Sequence, residues 1–133
     1  MSGDTITGRA IQYTNDNKHA YAYSGPVTIN DNETLLINDN TNSSYIKARI
    51  IPGYNVDTSE NFTFIIRINN IVIHKMFFTS STSYQNGEFV DIIIPPNVNF
   101  TIHAINAAST DRDASVVIVG KVGMAQRVGN LNE

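Results

Sequence analysis

The chain has 133 residues, of which 41% are hydrophobic and only 16% are charged, and its net charge is −3. This length supports one domain with a real core. The acidic balance argues against a nucleic-acid binder, which needs a basic stripe for the phosphates. The chain has no cysteine, which excludes disulfides and thiolate metal sites.

Residues 1–17 form the first predicted unit, an extended N-terminal arm with few large apolar residues. Its sequence MSGDTITGRA lacks a basic segment followed by an apolar one, so we expect no cleaved secretory signal. No apolar run in the chain approaches the roughly 20 residues that span a membrane, so we expect no membrane partner.

Alternation of apolar and polar residues predicts eight β-strands after the arm. In chain order they cover residues 18–29, 33–38, 44–51, 61–68, 71–77, 89–94, 98–105 and 115–122. Gly25-Pro26 interrupts the first strand, Pro52-Gly53 is the turn that ends the third, and Pro95-Pro96 ends the sixth. Residues 123–133 form a second extended tail, and no segment has helical periodicity.

A hairpin joins the fourth and fifth predicted strands. Asn69-Asn70 lies between them, and asparagine tolerates the positive φ that a type I′ turn requires at both central positions. Period-two alternation also predicts the residues that join the two sheets of the core. They are Phe62, Phe64, Ile66, Phe100, Ile102, Val116 and Ile118. Thr63 is predicted to lie on the opposite, solvent-facing side.

This pattern predicts an all-β fold, a single eight-stranded antiparallel jelly-roll β-sandwich over residues 18–122 with an extended arm at each end. An immunoglobulin-like Greek key is the alternative topology. The cysteine and tryptophan marks of that fold are absent, because the chain contains neither residue.

Catalytic motifs are missing from the sequence. There is no nucleophile elbow, phosphate-binding loop or dinucleotide motif, and nothing places two carboxylates across a cleft. His19, His74 and His103 lie on separate predicted strands, so a cupin-type metal site would require all three to converge. We therefore predict that the chain is not an enzyme and has no catalytic residue, metal ligand or cofactor.

The candidate contact residues are tyrosines, whose amphipathic rings suit both protein interfaces and sugar stacking. They are Tyr13, Tyr21, Tyr23, Tyr45, Tyr54 and Tyr84. The Asn- and Asp-rich loops 38–43, 54–60 and 106–113 add amides and carboxylates that can bind sugar hydroxyls. In the last loop, Asp111 and Asp113 are candidates for contact with a cation or another ligand, against the simpler interpretation that they are solvated turn residues.

Two parts of the sequence resemble small structural proteins of tailed phages and related viruses. One is QYTNDNKHAYAYSG, from Gln12 to Gly25. The other, in the C-terminal half, combines a strand that ends in IPP, a strand of the form VNFTIHAIN, a polar loop and the final strand ASVVIVGKV. The resemblance extends over roughly residues 12 to 123, and it is one of pattern.

The resemblance implies a jelly-roll subunit of a virus shell: a capsid decoration (cement), minor capsid or vertex protein on the virion surface, made in the host cytoplasm. Its implied partners are the major capsid protein and other copies of itself, with a trimer expected, and no nucleic acid. The alternative is a carbohydrate-binding, lectin-like module, such as a fibre head that recognises host-surface glycans. That alternative rests on the tyrosines and the three polar loops.

Overall fold

A computed structural model describes residues 10–54, 61–79, 89–107 and 111–124 of the chain. These residues form ten β-strands and no α-helix. The strands are β1 (Gln12–Tyr13), β2 (His19–Tyr23), β3 (Val27–Ile29), β4 (Thr34–Asn40), β5 (Ser44–Tyr54), β6 (Asn61–Ile68), β7 (Ile71–Thr79), β8 (Val90–Ile94), β9 (Asn99–Asn106) and β10 (Arg112–Met124). In this part of the chain no helix has the length and apolar character of a membrane span.

The strands form two antiparallel sheets. The six-stranded sheet has the order β1-β2-β10-β5-β8, with β3 also paired to β10, and the four-stranded sheet has the order β4-β9-β6-β7. Inward-facing residues of both sheets belong to one buried hydrophobic cluster. The predicted all-β class and the two-sheet sandwich are therefore confirmed.

The core follows the predicted alternation. All seven predicted core residues are buried, none of them more than 1% exposed. The rings of Phe64 and Phe78 meet edge to face, with their centroids 5.9 Å apart. This is the arrangement that aromatic quadrupoles favour in a packed interior.

The turn between β6 and β7 matches the sequence prediction. Asn69 and Asn70 have φ angles of 52° and 67°, as both central positions of a type I′ turn require. The turn is tied to β9, because the Asn69 backbone N–H donates to the Asn99 carbonyl at 2.8 Å and the Asn99 backbone N–H donates to Asn69 Oδ1 at 2.9 Å. A side-chain and a backbone hydrogen bond thus fix the position of the turn against β9.

Each of the eight predicted strands has a counterpart, but the structure divides and adds strands. The first predicted strand, 18–29, is two strands, β2 and β3, separated at Gly25, whose φ is 71°. β1 lies inside the range 1–17 assigned to the arm, where it pairs with β2, and Ile11 beside it is buried. The described residues therefore hold ten strands where eight were expected.

The largest boundary errors concern β5 and β10. β5 was expected to end at Ile51, yet it continues through Pro52-Gly53 to Tyr54, because β10 pairs with it along this whole length. On its other side, β5 pairs with β8 only at Ile46–Ile50. Pro52 therefore has a strand neighbour on one side, and proline is tolerated at such edge positions. β10 begins at Arg112 instead of residue 115, because Arg112–Ala114 pair with β3. It ends at Met124 instead of residue 122, so the first two residues of the predicted tail 123–133 belong to this strand, and the others lie outside the described residues.

Candidate functional site

The predicted contact tyrosines do not form one group. Tyr21 and Tyr23 are 50% and 41% exposed on the outer face of the six-stranded sheet, and Tyr45 shares that face, where its ring lies over Gly123. Tyr13 faces inward and packs against the core. The Tyr54 side chain and the whole of Tyr84 lie outside the described residues.

Tyr13 lies between the two sheets rather than at an outer contact surface. Its hydroxyl oxygen is buried and has no hydrogen-bond partner among the described residues. Burial, and then the nearby Asp39 carboxylate, raise the pKa of Tyr13. Burial likewise raises the pKa of Asp39, although the backbone N–H groups of Asn40 and Ile11 donate to its carboxylate and oppose the shift. The hydrogen bond from Ile11 to Asp39 therefore connects the N-terminal residues to β4.

Strand register brings chemically distinct side chains into rows on the outer face of the six-stranded sheet. Directly opposite residues on antiparallel neighbours share a face and lie about 5 Å apart. One row runs Tyr21, Val119, Arg49 and Asp91 across β2, β10, β5 and β8. The adjacent row lies two residues along the same strands and on the same face. It contains basic residues, so the two rows together present aromatic, apolar and charged side chains.

That adjacent row consists of His19, Lys121, Lys47 and Ile93. All four side chains belong to exposed residues. Lys121 lies directly opposite Lys47 on one side and His19 on the other. We call the first three residues the basic row. Among the described residues, neither lysine side chain has a hydrogen bond or an ion pair.

Asp91, the carboxylate of the first row, already has a partner. Arg49 holds Asp91 with two parallel hydrogen bonds, Nε to Oδ1 at 2.9 Å and Nη2 to Oδ2 at 3.2 Å. The hydrogen bonds from Arg49 lower the pKa of Asp91. The Arg49 guanidinium also lies 3.9 Å from the centre of the Phe89 ring, a cation–π contact that further fixes its position.

The two rows line a groove of about 820 Å³, open to solvent along the strands. Its floor includes the small residues Ala20, Ala48 and Gly120. A Cβ at Gly120 would lie 2.8 Å from the Lys47 carbonyl oxygen, so the close approach of β10 and β5 depends on glycine there. The groove has the size of a small-molecule site, and four strands that are distant in sequence build it.

A second exposed surface lies on β7, the edge strand of the four-stranded sheet. Ile71, Val72 and Ile73 are three consecutive exposed apolar residues, and Phe77 further along is 63% exposed. Ile73 is the extra residue where the pairing of β7 with β6 shifts, since His74 is opposite Ile66 and Val72 is opposite Arg67. Val72 and Phe77 lie on the outer face of the sheet, whereas Ile71 is opposite Ile68 on the other face. We call these four apolar residues of the edge strand the β7 edge patch.

The outer face of the four-stranded sheet has its own charged cluster. Arg67 binds Glu33 through Nη1 to Oε1 at 2.9 Å and Nη2 to Oε2 at 3.2 Å, and Arg67 Nη1 lies 3.3 Å from His103 Nδ1. Arg67 lowers the pKa of Glu33 by donating to it. Because a guanidinium has no acceptor, this contact requires an unprotonated His103 Nδ1. Burial, the largest cause, lowers the pKa of His103 accordingly.

The predicted polar loops lie at opposite ends of the sandwich. Loop 38–43 lies beside the start of β9, where Asn99 Nδ2 donates to Asn38 and Asn40. The loop after β9 lies at the other end, where Asp111 accepts a long hydrogen bond from Asn30 at 3.4 Å. Eight residues of β9 separate these ends by about 25 Å, so these two loops cannot line one site. Most of loop 54–60 lies outside the described residues.

Asp111 and Asp113 are both exposed, and Asp113 belongs to β10, where its carboxylate accepts from Thr28 at 3.3 Å. The histidines do not converge: His19 is on the outer face of one sheet, His103 is on the outer face of the other, and His74 is on the β7 edge. No group of three or more His, Asp or Glu side chains in the described residues could hold a metal ion.

The sequence pattern did not predict the basic row or the β7 edge patch. The alternation of Lys47 and Arg49 was visible in the sequence, and so was the run Ile71–Ile73. Neither signal says which strands are neighbours or which strand is an edge. A comparison of the chain with models of known protein families and with curated proteins finds no match.

Proposed function

We propose that the chain is a non-enzymatic structural subunit of a virion: a capsid decoration (cement) or minor capsid (vertex) protein that binds the major capsid shell and other copies of itself. The proposal places it on the capsid surface. The observation that carries it is the β7 edge patch. Soluble monomers rarely leave a run of apolar residues exposed on an edge strand, because such an edge recruits other chains.

The chemistry of the β7 edge patch suits assembly. Ile71 is 67% exposed and Phe77 is 63% exposed. They lie on opposite faces of the strand, so a partner that pairs along the edge of β7 could contact both side chains. In the described part of the chain no strand pairs with the outer edge of β7, which leaves backbone donors and acceptors for an added strand. A partner that supplies a strand and an apolar surface would satisfy both features at once.

The strand pairing supports a jelly roll, which we propose as the topology. β2 and β3 can be counted as one interrupted strand and β1 as an accessory, which leaves eight strands. The first then pairs with the last (β10), the second with the seventh (β4 with β9), the third with the sixth (β5 with β8) and the fourth with the fifth (β6 with β7). Wrapping one long hairpin into a sandwich produces this nested pairing.

The lectin-like alternative draws less support from its loops, since loops 38–43 and 106–113 lie at opposite ends of the sandwich. Its tyrosines also separate, because Tyr13 faces the core, whereas Tyr21, Tyr23 and Tyr45 share an outer face among the residues that the structure describes. A fibre head that binds glycans through loop tips would need a single cluster of such groups. We therefore favour the assembly role for the β7 edge patch.

The genes beside the coding sequence and the behaviour of the purified chain test this proposal. Portal and major capsid genes alongside would support it, as would co-sedimentation of the purified chain with capsids. The variant Ile71→Lys/Phe77→Lys, which places charges on the edge, should lose co-sedimentation. Ile93→Lys, which adds a charge to a residue 59% exposed on β8, is the matched control and should keep it. Equal sedimentation of both variants would reject the β7 edge as the contact.

A further inference from the structure

The two lysines of the basic row have an electrostatic cost, because no described side chain forms an ion pair or a hydrogen bond with either of them. Lys47 and Lys121 lie directly opposite each other on adjacent strands, and like charges in such pairs are unfavourable. The carboxylate of the neighbouring row, Asp91, is bound by Arg49. These cations gather on a chain whose net charge is −3. The arrangement is complementary to an anion that comes from outside the chain.

A bare anion would not need the rest of the groove. Next to the basic row, Tyr21 exposes half of its surface, and Val119 and Ile93 are 41% and 59% exposed. Aromatic and apolar surfaces of this kind cover the C–H face of a sugar ring. Arg49 and Asp91 at the same level add donors and an acceptor for hydroxyl groups.

From this combination we propose that the groove binds an acidic saccharide, a sugar that has a carboxylate or phosphate group. Its anionic group lies between the ammonium groups of Lys47 and Lys121. Its ring packs over Tyr21 and Val119 in the neighbouring row, about 7 Å along the strands. Its hydroxyls face the Arg49–Asp91 pair.

Two features favour a saccharide over other anionic partners. The basic row has only three members, too few for the phosphate contacts of a nucleic acid. The groove of about 820 Å³ fits a ligand of one or two rings. The groove is also separate from the β7 edge patch, so the site goes beyond the proposed assembly role and does not depend on it.

The test is a titration of isotopically labelled chain, followed by amide chemical shifts, with glucuronic acid, glucose 6-phosphate, glucose and inorganic phosphate as probes. The two acidic sugars should shift amides of β2, β5 and β10. Glucose should bind at least about tenfold more weakly, because it lacks the charge-assisted contacts. Inorganic phosphate should also bind more weakly than glucose 6-phosphate, because it does not contact Tyr21.

Variants separate the two parts of the site. Lys47→Gln/Lys121→Gln should weaken both acidic sugars about tenfold or more, while Lys75→Gln, a lysine on the other sheet, should change nothing. Tyr21→Ala should weaken glucose 6-phosphate and leave phosphate unchanged. Dispersed amide spectra confirm that each variant is folded. Equal affinity for glucose, equal affinity for inorganic phosphate, or an unaffected double variant would each overturn the proposal, whatever the oligomeric state of the chain.

Discussion

Phe64 and Phe77 show how one ladder places the same side chain in opposite environments. Phe64 on β6 is 1% exposed and packs against Phe78, whereas Phe77 on β7 is 63% exposed. Phe64→Ala should lower the free energy of unfolding by about 3–5 kcal/mol, because it leaves a cavity in the core. Phe77→Ala should lower it by no more than about 0.5 kcal/mol, as surface changes do.

Chemical-denaturation midpoints of the two variants, measured as monomers at low concentration, check this prediction. The substitution is the same in both, so only the environment of the ring differs. Equal losses of stability would mean that the inward face of the four-stranded sheet has been assigned wrongly.

His103 should give the fold a specific dependence on pH. Burial holds its pKa below the ordinary value of 6.5, so the unfolded chain takes up a proton first as the pH falls. Stability should therefore be complete above about pH 6.5 and should decline as the pH falls toward the folded pKa. His103→Gln should remove this part of the decline, as judged by thermal midpoints at neutral and mildly acidic pH.

A second variant, at Glu33, tests the direction of the pH dependence that is assigned to His103. The Glu33 carboxylate favours the protonated imidazole and opposes the effect of burial. Glu33→Gln removes that carboxylate, so the decline of the thermal midpoint between neutral and mildly acidic pH should become steeper. A shallower decline in Glu33→Gln would show that another group dominates the titration.

At the residue scale, alternation predicted the inner face better than the outer one. The seven core residues were correct, but the face of Thr63 is less solvated than expected. Thr63 is half-buried, and Ile65 beside it is only 5% exposed. The cause lies in neighbouring strands, since Lys75 and His103 flank Ile65 across the sheet. The burial of an outward-facing residue depends on such neighbours, and alternation along its own strand does not predict which side chains they are.

At the element scale, the two asparagines of the β6–β7 turn have similar backbone conformations and different side-chain contacts. Both have positive φ, which glycine adopts without strain. Only Asn69 has a side chain that accepts a hydrogen bond from β9. Asn70→Gly should therefore leave stability within about 0.5 kcal/mol, while Asn69→Gly should cost about 1 kcal/mol for the lost hydrogen bond. Denaturation midpoints of the pair decide this, and a larger loss in Asn70→Gly would contradict it.

Strand existence could be predicted from the sequence, but strand ends could not. The bounds of β6, Asn61–Ile68, match the prediction, because a clear alternation runs up to the Asn69-Asn70 turn. β5 and β10 extend beyond their predicted ends, because each provides the other with a partner along the whole of its length. β1 has two residues and no periodicity of its own, so only its pairing with β2 reveals it.

At the scale of the whole molecule, composition and periodicity were enough to predict two packed sheets. The binding surfaces were not predictable in the same way. The basic row takes His19, Lys47 and Lys121 from three strands that are separated along the chain. The β7 edge patch depends on β7 being the last strand of its sheet. Both surfaces are products of strand order, which local sequence patterns do not contain.

The central claim is that the chain assembles through the edge of β7. The most direct measurement is the solution mass by light scattering after size exclusion, for the wild-type chain, Ile71→Lys/Phe77→Lys and the control Ile93→Lys. The wild type and the control should be oligomers, with a trimer of the 14.7 kDa chain expected, and the double variant should be a monomer. A wild-type chain that remains at 14.7 kDa alone and does not associate with purified capsids would rule out assembly through β7.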